Sequence, residues 1–189
     1  MLIAALAILP IHGEAEVYDS VICLHVLANS DETGDQALKL LVRDAVLATT
    51  SELLKDTKTR DEAEKLLAEN LDRIRTVAEE TVRKNGSNDA VAVSLSEEEY
   101  PTREYESLAF PAGEYLSLRV MIGEAAGQNW WCVLFPPLCL SAATTKAEAE
   151  EVFLSAGLTE EQYRIITDSD NTKYRLRFKI LEVAQGLFD

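Results

Sequence analysis

Histidine is scarce in this chain, which limits the chemistry that its side chains can perform. The two histidines among 189 residues are His12, in an N-terminal apolar stretch, and His25, in an apolar strand pattern where a core role is expected. A thiol nucleophile would need Cys132 or Cys139 with His25 as its base, and nothing in their spacing demands that pairing. A zinc site of the same three residues would lack a fourth ligand and a CxxC motif. Gly-rich phosphate loops and Ser-centred elbows are also absent, so the sequence predicts no enzyme, no metal and no cofactor.

Basic residues are few as well. Eighteen Lys and Arg stand against 33 Asp and Glu, which gives a formal net charge of −15. A surface of this sign repels phosphate backbones and anionic lipid headgroups, so the charge balance argues against nucleic acid as a partner. Such a charge favours solubility and leaves room for electrostatic matching with a basic partner. We also expect no small-molecule substrate.

The apolar run at the N-terminus, Leu2–Leu9, is too short to cross a bilayer as a helix, which takes about 20 residues. It is typical of the apolar part of a secretory signal, with Gly13 and Ala15 at a plausible cleavage site. The basic stretch that normally precedes such a run is missing, and the alternative is a buried N-terminal segment. We predict an export leader over residues 1–15, truncated at its start, and a single α+β domain over residues 16–189.

Three cysteines do not decide the compartment by their number. Cys23 lies in an apolar strand pattern and is expected to be an inert core thiol. Six residues lie between Cys132 and Cys139, and Pro136 and Pro137 among them bend the chain. We predict that this pair forms a disulfide in the exported protein. The alternative is that strand geometry points the two thiols apart and buries both.

Period-two and densely apolar patterns predict five strands. They cover Val21–Ala28, Ala90–Leu95, Tyr115–Ile122, Asn129–Phe135 and, running into a last helical turn, Tyr174–Ile180. The Gly-containing segment 123–127 is typical of a hairpin loop joining the third and fourth of these strands. The acidic run Glu97–Glu99 is expected to be a solvated loop.

Helical periodicity covers two long segments. The first runs from Asp35 to about Lys55 and places Leu41 in its apolar stripe; the second runs from the capping box at Thr59 to Asn85. Two shorter helices are predicted near the C-terminus, capped by Thr145 and Thr159. The order of elements predicts an α+β fold: a mixed four- to five-stranded sheet with two long helices packed on one face.

The segment from Tyr100 to Leu140 contains four of the five prolines and both tryptophans. Proline fixes φ, so this stretch predicts a stiff surface. Trp130 and Trp131 are adjacent in a predicted strand and must point to opposite faces, one filling the core and the other lying under helices or anchoring a partner. The predicted partner-binding residues are Tyr100, Pro101, Tyr105, Phe110, Pro111, Glu114, Trp130, Trp131, Phe135, Pro136 and Pro137.

Several segments resemble one family, stage II sporulation protein R. Leu24–Asp31 reads LHVLANSD, and the pattern DQxLK at Asp35–Lys39 is followed by VRDAV at Val42–Val46. Phe110–Tyr115 reads FPAGEY, and the most specific string is GQNWWCVLFPPLC at Gly127–Cys139. The resemblance runs from about Val21 to Leu140. Two features depart from the family: the leader is shorter than usual, and Cys23 stands where a polar or basic residue is typical.

The resemblance implies a function that composition does not show. Members of the family are made in the forespore of endospore-forming bacteria and exported into the space between the forespore and mother-cell membranes. There they activate a membrane-embedded aspartic protease, which cleaves the inactive precursor of a sporulation sigma factor. Two alternatives remain open: a cell-wall or small-ligand binding module that uses Trp130 or Trp131 as a stacking platform, and a hydrolase that depends on Cys139.

Overall fold

The computed structural model describes residues 17–104, 109–137 and 146–167 of the chain. Within them lie six strands, namely β1 (Ile22–Leu27), β2 (Val91–Tyr100), β3 (Arg103–Glu104), β4 (Ala109–Phe110), β5 (Gly113–Ile122) and β6 (Asn129–Phe135). Five helices accompany them, namely α1 (Thr33–Leu54), α2 (Arg60–Glu69), α3 (Leu71–Lys84), α4 (Lys146–Ser155) and α5 (Glu160–Thr167). The predicted leader, Thr145, and the predicted C-terminal strand lie outside the described residues.

A mixed four-stranded sheet organises the fold. Its strand order is β2-β5-β1-β6; β1 runs parallel to β5, while β2 and β6 are antiparallel to their neighbours. β3 and β4 form a separate two-stranded ribbon. The predicted α+β class with a mixed sheet is confirmed.

The larger hydrophobic core lies between one face of the sheet and helices α1, α2 and α3. Alternate residues of β1, Ile22, Leu24 and Val26, pack there with the apolar stripes of the three helices. The long helices therefore cover one face, as predicted. Leu41 is an exception to the predicted stripe of α1, because 46% of its surface is exposed.

The opposite face of the sheet carries a second, more aromatic cluster. Cys23 of β1 and Tyr115 of β5 pack there with Phe110 of β4 and with Phe153 and Tyr163 of α4 and α5. Both faces of the sheet are therefore covered over part of their area. This explains why β1 is almost wholly buried, as its dense apolar sequence predicts.

The predicted hairpin between β5 and β6 is wrong. Both strands begin and end close to the predicted residues, but β1 lies between them and pairs with each. Segment 123–128 therefore crosses the end of β1 instead of making a tight turn. Local sequence patterns fix where a strand lies and not which strand pairs with it, so this error could not be seen from spacing.

Two further predictions about local structure are wrong. Glu97–Glu99 belongs to β2, where its residues pair with Glu114, Tyr115 and Leu116 of β5. β2 lies at one edge of the four-stranded sheet, and charged residues are suited to such an edge. The predicted helix Thr59–Asn85 is interrupted at Asn70, which leaves the helical region at ψ 13° and separates α2 from α3.

Candidate partner-binding surface

A group of polar residues locks the loop between β1 and α1 to the segment before β6. We call it the polar corner, and it consists of Asn29, Ser30, Asp31, Asp35, Gln36, Lys39 and Gln128. Within the loop, Asn29 Nδ2 and Ser30 Oγ both donate to Asp35 Oδ2, at 2.8 and 2.6 Å. These hydrogen bonds lower the pKa of the Asp35 carboxyl below its usual value, and the bond from Ser30 has the larger effect.

The same corner clamps the chain that enters β6. Gln128 N–H donates to Asp31 Oδ1 at 2.6 Å, and the buried Lys39 Nζ donates to the Gln128 carbonyl at 2.8 Å. Gly127 lies so close to the Ser30 carbonyl that a Cβ at this position would overlap it. Residues about 90 positions apart in the sequence thus form one rigid unit that fixes the start of the Trp130-Trp131 strand.

Trp130 projects toward the helical side of the sheet. It packs against the larger core, and the guanidinium carbon of Arg43 on α1 lies 4.7 Å from its ring centroid. Arg43 also forms an ion pair with Asp44 at 2.7 Å. The half-buried ring is therefore covered by a cation–π contact, which contributes about 0.5–1 kcal/mol at exposed sites.

Trp131 projects to the opposite face, as the alternation of a strand requires. Its ring packs edge-on against Tyr100, with centroids 5.3 Å apart, and the Arg103 guanidinium lies over it. Trp131 Nε1 donates to Asn129 Oδ1 at 2.9 Å. Each tryptophan is thus half-buried, and each is covered by an arginine, which leaves neither ring free as an open stacking platform.

The Phe110–Tyr115 segment is a clamped turn. Tyr115 OH donates to the Pro111 carbonyl at 2.7 Å, and Tyr18 OH donates to the Ala112 carbonyl at 2.9 Å. A Cβ at Gly113 would meet the ring of Tyr18 at 2.5 Å. This motif therefore serves the packing of the chain at the start of β5.

The predicted partner-binding residues fall into separate groups. Pro101, Glu114 and Pro137 are exposed, and Trp130 and Trp131 are half-buried. Five of the predicted residues are instead buried: Tyr100, Phe110, Pro111, Phe135 and Pro136. They can support a binding surface from below but do not form it. Tyr105 and Cys139 lie outside the described residues; Cys132 is buried on β6, and the predicted disulfide remains a prediction.

A polar network lies on the second face of the sheet beside Trp131. His25 Nδ1 is 3.1 Å from Glu98 Oε2, and Arg119 Nε is 3.3 Å from Glu98 Oε1. Tyr100 OH donates to Glu98 at 3.0 Å and lies 2.7 Å from Ser117 Oγ. Glu98 is therefore the centre of the network, which explains why a glutamate of the acidic run is tolerated in a largely covered position.

Burial sets the ionisation of His25. It lowers the pKa of His25, against the opposite effect of the hydrogen bond and charge of Glu98. For Glu98, burial alone would raise the pKa, but hydrogen bonds involving Ser117, His25 and Tyr100 bring it below its ordinary value. A neutral imidazole beside a carboxylate is the state that this environment favours.

The geometry does not assemble a thiol nucleophile around His25. Cys132 pairs with Leu24 and packs in the larger core, whereas His25 pairs with Trp131 on the other face. Cys23 shares the face of His25, but burial raises the pKa of its thiol to about 12. Cys23 is free and buried, as predicted. Over the described ranges, no cluster of three or more His, Cys, Asp or Glu is arranged to hold a metal ion.

Sequence reasoning missed the residues that cover the tryptophans and the exposed leucines of α1. Arg43 and Arg103 reach their rings through tertiary contacts, which have no signal in local spacing. Leu40 and Leu41 do leave a signal: with Leu38 and Val42 they make four apolar residues in five positions, which is more than one buried stripe can hold. In the part of the chain that is described, no helix is long and apolar enough to cross a membrane.

Comparisons with known proteins agree with the motifs that meet in the polar corner. The family model of stage II sporulation protein R matches residues 18–145. The curated stage II sporulation protein R of Bacillus subtilis (strain 168) is 38% identical over 152 residues, which cover 79% of this chain and 68% of that protein. No solved structure matches significantly. The chain belongs to the stage II sporulation protein R family.

Proposed function

We propose that this chain is an exported sporulation signal that binds and activates a membrane-embedded aspartic protease, leading to cleavage of a sigma-factor precursor. The observation that carries the proposal is membership of the family over residues 18–145. We place its action in the space between the forespore and mother-cell membranes. The chain acts by binding and performs no hydrolysis of its own.

One structural feature supports a binding role. The polar corner rigidly holds the strand of Trp130 and Trp131. A partner that contacts this region therefore meets a surface that is already ordered, and binding loses little conformational entropy. A role in stacking a sugar ring is less well supported, because Arg43 and Arg103 lie over the two tryptophan rings.

The test replaces the native family member of an endospore-forming bacterium with this chain behind a working export signal. We expect conversion of the sigma-factor precursor to its shorter form, measured by immunoblot during sporulation. The same chain without an export signal is the control and should leave the precursor intact. Absence of conversion with the exported, folded chain would refute the proposal.

A second experiment tests whether the chain is an enzyme. His25→Ala removes the one histidine of the residues that the structure describes, and a variant that still folds should convert the precursor as the parent does. Folding is checked by circular dichroism. A folded His25→Ala protein that no longer signals would count against a purely binding role.

A further inference from the structure

We propose that a cavity between the end of α1, the end of β6 and α4 binds a small organic acid, meaning a molecule with an apolar body and one or two negatively charged groups. The cavity has a volume of about 300 Å³, which lies within the range of small-molecule pockets. The inference concerns a ligand of this chain and goes beyond the proposed function, on which it does not depend.

The walls of the cavity are apolar and are held in place by the larger hydrophobic core. Leu134 and Phe135, at the end of β6, are 4% and 2% exposed and belong to that core. Leu54 of α1 and Val152 of α4 line the cavity from the two helices. Because core packing fixes these walls, the apolar body of a ligand meets a preformed surface, and binding loses little conformational entropy.

Polar side chains without partners line the same cavity. Lys55 and Lys58 are exposed at its edge, while Ser51 and Thr57 are half-buried. Among the described residues, none of these four side chains forms an ion pair or a hydrogen bond. Two ammonium groups and two hydroxyl groups are therefore available to a ligand, and all four can donate hydrogen bonds.

The charge at the cavity is opposite to the charge of the chain. The chain has 33 Asp and Glu and a net charge of −15, yet the described residues that line the cavity include two lysines and no acid. Elsewhere lysines are paired: Lys65 and Lys84 each lie within 4.0 Å of a glutamate carboxylate. The uncompensated positive charge of Lys55 and Lys58 favours a negatively charged ligand.

The ends of the neighbouring helices account for one of the two lysines. Lys55 directly follows α1, where a cation complements the partial negative charge of a helix C-terminus. Lys58 precedes Thr59, the N-cap of α2, and this is the end at which the helix dipole favours an anion. No described carboxylate lies within 4.0 Å of the Lys58 ammonium group. A bound anion would supply the charge that this position lacks.

Both parts of the ligand follow from these surroundings. An inorganic anion would meet the lysines but would leave the apolar walls uncovered. A neutral apolar molecule would cover the walls but would leave both ammonium groups unmatched. An organic acid does both, because its anionic oxygens accept charge-assisted hydrogen bonds from the lysines and the hydroxyls while its apolar body contacts Phe135 and its neighbours.

Two dyes that share an anilinonaphthalene body test the proposal on the purified full chain. The first, 8-anilinonaphthalene-1-sulfonate, carries a sulfonate, and the second, N-phenyl-1-naphthylamine, is uncharged. In fluorescence titrations we expect saturable binding of the sulfonate and an affinity about tenfold or more lower for the neutral dye. Equal affinities would overturn the role of charge, and no binding of the sulfonate would overturn the site. Inorganic phosphate should not displace the sulfonate dye; full displacement would overturn the role of the apolar walls.

Variants locate the bound dye. Lys55→Gln with Lys58→Gln should weaken binding of the sulfonate dye about tenfold or more. Lys65→Gln with Lys84→Gln is the matched control, because it changes the net charge equally and should leave the affinity unchanged. Ser51→Leu narrows the cavity and should weaken binding of both dyes. Melting temperatures show whether each variant is folded. Equal weakening by the two double variants, or unchanged affinity in folded Ser51→Leu, would place the dye elsewhere and refute the proposal.

Discussion

At the scale of single residues, the molecule is organised by a few polar side chains with several partners each. Lys39, Asp35 and Glu98 each join atoms from at least two other residues. A buried or half-buried charge is tolerated only when such partners replace water. Substitutions at these positions, or in the backbone that they hold, should therefore lower the free energy of unfolding. They should affect function only by disturbing the geometry of the segments that these residues fix.

Gly127 gives the sharpest test of the polar corner. Gly127→Ala places a methyl group against the Ser30 carbonyl, and we expect a loss of about 1–3 kcal/mol in the free energy of unfolding, measured by urea denaturation. Gly34→Ala is the control: no atom lies within 4 Å of its Cβ, and in a helix the change should be neutral or stabilising by up to about 1 kcal/mol. Equal effects at the two positions would mean that the corner is not tightly packed.

His25 makes stability depend on pH. Its pKa is lower in the folded chain than its ordinary value of 6.5, so below pH 6.5 the unfolded chain binds more protons and stability falls. The contribution is fully present above about pH 6.5 and is lost as pH falls through the folded pKa. The stabilising contribution of Glu98, whose pKa is also lowered, is lost only below its ordinary value of 4.5.

We therefore expect the free energy of unfolding to decrease from pH 7.5 to pH 5, and this decrease to be smaller in His25→Gln. Urea titrations at several pH values measure it. A pH slope that is unchanged in His25→Gln would contradict the assignment to His25.

At the scale of elements, two helices begin with capping boxes, and only one of the two boxes also bonds to a distant part of the chain. At α5, Thr159 N–H donates to Gln162 Oε1 and Gln162 N–H donates to Thr159 Oγ1, and Gln162 Nε2 continues to Ser20 Oγ. At α2, Glu62 N–H donates to Thr59 Oγ1, but the Glu62 carboxylate accepts from Lys58 at the surface.

Gln162→Ala should therefore cost more stability than Glu62→Ala. We expect about 1–3 kcal/mol for Gln162, which is 8% exposed and links α5 to the chain before β1. For the exposed Glu62 we expect about 0.5 kcal/mol. Thermal unfolding of both variants measures the difference. A larger cost at Glu62 would show that the link through Ser20 contributes nothing.

The sequence predicts most elements well and their pairing poorly. β6 begins and ends where its pattern predicts, and the Thr59 and Thr159 boxes both start helices, because each depends on neighbouring residues. The insertion of β1 between β5 and β6 and the covering of Trp130 by Arg43 depend on contacts between distant segments. The exposure of Leu41 was missed because its spacing alone assigned it to the core.

The predicted disulfide joins Cys132 of β6 to Cys139. Cys132 is 8% exposed, and Cys139 lies outside the described residues. Closing the eight-residue loop between them is worth about 2.5 kcal/mol on the chain-entropy model. Mass spectrometry of alkylated, non-reduced protein from the exported fraction should find label on Cys23 alone after unfolding. Label on both Cys132 and Cys139 would rule the bridge out.

At the scale of the whole molecule, the net charge of −15 should give salt two opposite effects. Repulsion among like charges destabilises the folded chain, and salt screens this repulsion. The melting temperature should therefore rise between 0.05 and 0.5 M NaCl. The Debye length is about 10 Å at 0.1 M, which lies within this range. Attraction between the acidic chain and a basic partner is screened by the same ions. The association rate should therefore fall about tenfold or more over that range, as measured by surface plasmon resonance. The opposite signs are the critical feature, because a general effect of salt on folding would move both quantities together. An association rate that stays constant while the melting temperature rises would show that the acidic surface serves solubility and does not guide the chain to its partner.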